Sequence, residues 1–225
     1  MLSNRSSLIP PPRALWLVAA AVFAILVQVA PQAVAADTGT FGTVDVPRIG
    51  DMVVMPDGSI LGSDLLNSRI YRVWPSGAVT VFAGAGYGGF DNGYSGDGGP
   101  AIDAHFVGIE GLAWAPDGSL LVVDHLNDVI RRIDANGIVT TVVGSGPLNT
   151  WSQGPWYPHL KGIGDGGPAL SAILDAPWGI TVDAAGNLYI ADRDHDAVRR
   201  VDVQGVITSV AGTGQRGYGG DGGPA

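Results

Sequence analysis

Three aspartates, Asp97, Asp165 and Asp221, each sit in the same glycine-rich hexapeptide, GDGGPA, at 96–101, 164–169 and 220–225. A carboxylate among glycines is what a calcium loop or an anion cradle needs, since glycine lets backbone N–H groups and an ion approach closely. A binding site is built once, however, and this element recurs. Recurrence fits a turn better: the Asp caps backbone N–H groups and the glycines allow close passage of the chain. A second acidic series, Asp64, Asp124 and Asp192, opens the segments DLLNS, DHLND and DRDHD, with Arg69, Arg131 and Arg199 following. Its recurrence also points to structure, with the Asp bonding its own turn and the Arg stems packing between repeated units.

Residues that break the repeat are the better candidates for recognition. His125, Asp128, Asp194, His195 and Asp196 differ from copy to copy, as does the long connector PLNTWSQGPWYPHLKGI at 147–163, which holds Trp151, Trp156 and Tyr157. Aromatic residues beside proline in an inserted loop suit contact with a glycan or a peptide. The Asp-His-Asp triplet at 194–196 offers metal-ligand atoms, but three adjacent residues rarely converge on one ion. No cofactor is expected. Calcium is the ion these acidic loops would take if they took one.

The elements that position these residues follow from a gapless superposition of 50–86, 110–146 and 178–214. Within each copy the apolar period is two, and Gly58, Gly118 and Gly186, then Gly77, Gly137 and Gly205, fall in hairpin turns. Each copy reads as a four-stranded antiparallel meander, which buries both faces only by stacking around an axis. The expected fold is therefore all-β: a β-propeller of four-stranded blades, with three blades and the start of a fourth present. The blades and connectors divide as 45–99, 100–167 and 168–225. The third hexapeptide opens a blade that does not follow, so a partial ring is expected, or a half-ring that closes by dimerising. Counting strands places the DLLNS, DHLND and DRDHD loops and the GDGGP connectors on one acidic face.

The pattern running from GDGGPA through GNLYIAD and RRVD to VAGTG resembles the NHL repeat, in the extended form of teneurin-like NHL domains and many exported bacterial proteins. The resemblance covers about residues 45–225 and implies a ring of six blades. A second, smaller likeness concerns EGLAW at 110–114, which is similar to the EGPxW motif of gluconolactonase-like propellers, where the Glu ligates a divalent metal in the central channel. Glu110 is the only Glu of the chain. The motif's Pro is missing, and Trp178 stands where that family carries a metal-binding Asp.

Location follows from the N-terminus. Arg5 and Arg13 precede an uncharged apolar run at 14–30, and Ala33 and Ala35 form a small-x-small signal. Residues 1–35 read as a secretory signal cleaved after Ala35, with 36–44 a short leader, and membrane attachment follows only if that segment stays as an anchor. The whole chain has 12 Lys and Arg against 21 Asp and Glu, and no Cys. That surplus of negative charge excludes a nucleic-acid partner, because phosphate binding needs the opposite field. The expected function is non-catalytic binding of an extracytoplasmic protein, peptide or glycan. The competing reading is a metal-dependent lactonase- or lyase-like enzyme built on Glu110.

Overall fold

The computed structural model describes residues 49–86, 94–146, 164–214, 217, 219 and 221–223. The leader segments 1–35 and 36–44 and the candidates Trp151, Trp156 and Tyr157 lie outside the described residues. Among the described residues, twelve strands form three four-stranded sheets, each an antiparallel meander in chain order. Blade 1 holds β1 (Ile49–Val54), β2 (Ile60–Asp64), β3 (Arg69–Val73) and β4 (Val79–Ala83). Blade 2 holds β5 (Ile109–Trp114), β6 (Leu120–Asp124), β7 (Val129–Ile133) and β8 (Val139–Val143). Blade 3 holds β9 (Pro177–Val182), β10 (Leu188–Asp192), β11 (Ala197–Val201) and β12 (Ile207–Ala211).

Alternation decides what packs between blades. Val53, Leu61, Ile70 and Phe82 of blade 1 meet Leu112, Leu120, Ile133 and Val139 of blade 2 in one core. Leu121, Val123 and Ile130, on the opposite face of blade 2, meet Ile190, Val201 and Ile207 of blade 3 in a second. Each blade thus presents one face to the preceding blade and the other to the next. The blade 1 face equivalent to the first of these carries Met52, Val54, Val79 and Val81 and is exposed among the described residues.

The hexapeptides are joints, but not where strand counting placed them. Gly98 N–H donates to Val139 O, Val139 N–H to Gly99 O and Ala101 N–H to Gly137 O, so the connector lies along the outer strand of the blade it enters. The same bonds recur from Gly166, Ile207 and Ala169 in blade 3. These contacts are at the β7–β8 and β11–β12 turns, away from the DHLND and DRDHD loops. The cause is an edge strand whose free N–H and C=O groups need partners, which the connector supplies.

In the joints at 96–101 and 164–169 the Asp locks the connector to a buried arginine. Asp97 Oδ1 accepts from Arg131 Nη2 at 2.7 Å, and its Oδ2 accepts from Thr141 N–H at 2.9 Å. Asp165 does the same with Arg199 Nη2 at 2.8 Å and Ser209 N–H at 2.9 Å. Both arginine side chains are fully buried. The register also corrects the sequence pairing of arginines. Arg131 faces Val122 and Arg199 faces Ile190, but the equivalent position opposite Gly62 is Tyr71, not Arg69. No GDGGP precedes blade 1 in the sequence. An arginine there would lack its Asp, and an unpaired buried charge is costly.

Candidate functional site

Each β2–β3-type loop begins with a buried Asp and ends in a left-handed residue: Ser68, Asp128 and Asp196, with φ of 53°, 54° and 48°. The Asp is held from within its loop at one fixed position. Asn67 Nδ2 donates to Asp64 at 2.7 Å, Asn127 Nδ2 to Asp124 at 2.9 Å, and His195 Nδ1 lies 2.9 Å from Asp192 Oδ2. His195 therefore stands where the other copies have asparagine, buried under its loop, and Asp196 closes the same loop.

The environments of Asp124 and Asp192 differ in charge. Burial pushes the Asp124 carboxyl up to about 7, against the hydrogen bonds of Val107 and Asn127 and the charge of Arg131. Its Oδ2 accepts no hydrogen bond, with Arg131 Nη1 3.7 Å away and already donating to His105 O. Asp192 instead meets Arg199 Nη1 at 3.0 Å and His195. Burial pulls the His195 imidazole down, but the hydrogen bond and charge of Asp192 outweigh it and hold the group above its ordinary value.

Asp128 and His125, both buried, act across the gap between blades 2 and 3. Asp128 Oδ1 accepts from Ala176 N–H at 2.9 Å. Ala176 is left-handed at φ 48°, where blade 2 has Gly108, a conformation that costs an alanine roughly 1–2 kcal/mol. His125 Nδ1 sits 2.9 Å from the carbonyl oxygen of Pro177; the carbonyl can only accept, so Nδ1 carries the proton. Two side chains of one blade thus clamp the two residues before Trp178, which opens blade 3. The His125 and Trp178 rings meet edge-on with centroids 5.4 Å apart.

Trp178 is 45% exposed. The Arg193 guanidinium lies 4.8 Å from the centre of its ring, and Arg193 Nε donates to Asp194 at 2.9 Å. Arg193 is held above its ordinary value first by the Asp194 hydrogen bond, and further by the charges of Asp194, Glu110 and Asp175. Three carboxylates therefore act on one cation beside an exposed indole. Burial of the charged rim is partial, so the group remains hydrated and adaptable.

Of the sequence candidates, the structure brings His125, Asp128 and Asp194 to the surroundings of Trp178, has the Glu110 charge act on Arg193, and places His195 and Asp196 in the packed loop. Trp178 and Arg193 had not been singled out for contact. The signal was present: the position shared by Gly50, Glu110 and Trp178 never repeats, nor does that of Leu65, His125 and Arg193. Among the described residues no three Asp, Glu, His or Cys side chains are grouped to hold a metal ion. At the position where the gluconolactonase resemblance would need a ligand carboxylate, this chain carries Trp178, whose indole offers a divalent ion no ligand atom.

Meanders stacked through two interblade cores, with joint aspartates on buried arginines, define an NHL-type β-propeller. Residues 73–156 and 156–218 match the teneurin NHL domain, and the chain belongs to that family. It is 32% identical to teneurin-4 of Mus musculus over 160 residues, which is 70% of this chain and 5% of that protein. It is 48% identical to teneurin-1 of Mus musculus over 50 residues, 22% of this chain and 2% of that one. Among solved structures, a structural genomics protein of unknown function from Bacteroides thetaiotaomicron VPI-5482 aligns with a TM-score of 0.53 at 23% identity, covering 72% of this chain and 36% of that chain. This last likeness concerns the fold alone.

Proposed function

We infer that this chain is a non-catalytic recognition module, exported from the cytoplasm, whose loop face binds an extracytoplasmic protein, peptide or glycan. The observation that carries this is Trp178: a half-exposed indole, fixed by a clamp from the neighbouring blade and covered on its ring by Arg193, on which Asp194, Glu110 and Asp175 act. A rigid aromatic costs little conformational entropy on binding, and aromatic and arginine anchors dominate interface energies. The carboxylate surplus favours a partner segment carrying Lys or Arg over a neutral sugar. Among the described residues no helix is long and apolar enough to cross a membrane.

The test is binding of the purified chain to arrays of Lys- and Arg-containing peptides and of glycans. For whichever probe binds, Trp178→Ala weakens binding about 30-fold or more, the level of an interface anchor, with little change in Tm. Binding unchanged in that variant would refute the assignment. The enzyme reading rests on the blade-entry position of Glu110 and makes the opposite claim: stoichiometric divalent metal and lactone turnover, both lost in Glu110→Gln. Elemental analysis and a lactonase assay on the same samples separate the two.

A further inference from the structure

The two interblade gaps are built on the same plan but are not filled alike. Between blades 1 and 2, Met55, Phe82 and Trp114 pack against the core. The residues at these three positions in the next gap are Ala115, Val142 and Val182. Three large side chains are thus replaced by three small ones, and the second gap opens into a cleft of about 460 Å³ between blades 2 and 3. Leu121, Val142, Val182 and Leu188 line its apolar wall, and the Asp117–Arg132 ion pair at 2.8 Å stands at its mouth. Its rim includes the hairpin turns at Gly186 and Gly205, so it opens at the end of the blades opposite the Trp178 loops.

We propose that this cleft is a second binding site, for a small molecule with an indole-sized aromatic body and a polar substituent. The neighbouring gap shows the shape that fits: at the same place between the same faces, Trp114 inserts an indole. The cleft's size lies within the ordinary range of small-molecule pockets, about 300–1,000 Å³, and an apolar wall with a few polar groups at the rim is their usual make-up. The ring of the ligand takes the place of Trp114, and its polar end meets the Asp117–Arg132 pair, which is already held in position: Asp117 accepts from Ser119 N–H at 3.0 Å. A rigid rim of this kind orients a ligand with little ordering cost. The site is separate from the recognition face and needs none of its residues.

Indole itself is the probe. Added to the full chain, it raises Tm by a few degrees and shifts the methyl resonances of Leu121, Val142, Val182 and Leu188, leaving those of Leu61 and Ile70 in the filled gap unmoved. Val182→Trp restores the filled arrangement, raises Tm without ligand and weakens indole binding more than tenfold. Should that variant fail to fold, Ala115→Met, which reproduces Met55, carries the same expectation. The proposal is overturned if indole leaves the four methyls unshifted up to its solubility limit, or if both filled variants fold and bind indole as the parent does. Array binding through Trp178 is unaffected by either variant, so failure here and failure of the recognition face are distinguishable.

Discussion

Arg131→Met destabilises the fold by about 3–5 kcal/mol, the usual cost of removing one partner from a buried ion pair. The side chain is fully buried and joins three elements. It donates to Asp97 of the connector, to Ser95 O at 2.9 Å and to His105 O at 2.7 Å, and its guanidinium lies 3.7 Å from Asp124. Methionine keeps the stem against Phe106, whose ring centre lies 4.7 Å from the guanidinium carbon, but satisfies none of these acceptors. The connector loses its anchor on β7, and Asp97 retains only the Thr141 N–H. Arg69→Met is the control. Arg69 donates to Ala85 O and, among the described residues, meets no joint Asp, so about 1 kcal/mol or less is expected. Urea unfolding of the three proteins decides it; equal midpoints for the two variants would show that the joint is not a lock.

Stability falls as pH rises from about 4 to about 7, by up to about 4 kcal/mol, because Asp124 keeps its proton to about 7. An unfolded chain releases that proton near pH 4. Between the two values the folded state binds more protons, so each step up in pH favours unfolding. His195 acts in the same direction, because its value is raised: its contribution is complete below about 6.5 and is lost as pH rises through the folded value. On the acid side the sign reverses. Asp57, Asp117, Asp134 and Asp183 are held below their ordinary values by hydrogen bonds, first from Ser59, Ser119, Ile138 and Asn187 respectively, and their contributions vanish as pH drops below about 4. The predicted Tm maximum therefore lies near about pH 4, where the loss on the acid side gives way to the Asp124 slope. Asp124→Asn flattens the slope from 4 to 7. His195→Asn keeps the hydrogen bond to Asp192, as Asn67 and Asn127 do in their copies, and removes the His195 part of the slope above about 6.5, leaving that of Asp124. A Tm that climbs steadily from pH 5 to 8 contradicts the assignment.

The blades were legible in the sequence because turn chemistry and period-two runs are local, and three gapless copies check one another. The joint was half legible. Asp97 and Asp165 read as structural, but their partners across the outer strand are about thirty residues away and depend on register, which is why Arg69 looked equivalent to Arg131 until β3 placed Tyr71 there. The site was legible as a class of positions, the ones that do not repeat, and not as geometry. Asp128 and His125 were visible as exceptions, yet their task is to hold Ala176 and Pro177, an interaction across about fifty residues that no spacing rule reveals. The cleft needed both: unequal side chains can be read from the aligned copies, but only packing shows that Ala115, Val142 and Val182 fall around one space.

The central claim is that Trp178 is the contact residue of the loop face, and hydroxyl-radical footprinting with and without the bound array probe tests it most directly. Met52, on the open face of blade 1 and 56% exposed, serves as the internal reference. The probe is expected to protect Trp178 from oxidation and to leave Met52 unchanged. Equal oxidation of Trp178 in the free and bound states, with protection elsewhere, would contradict it.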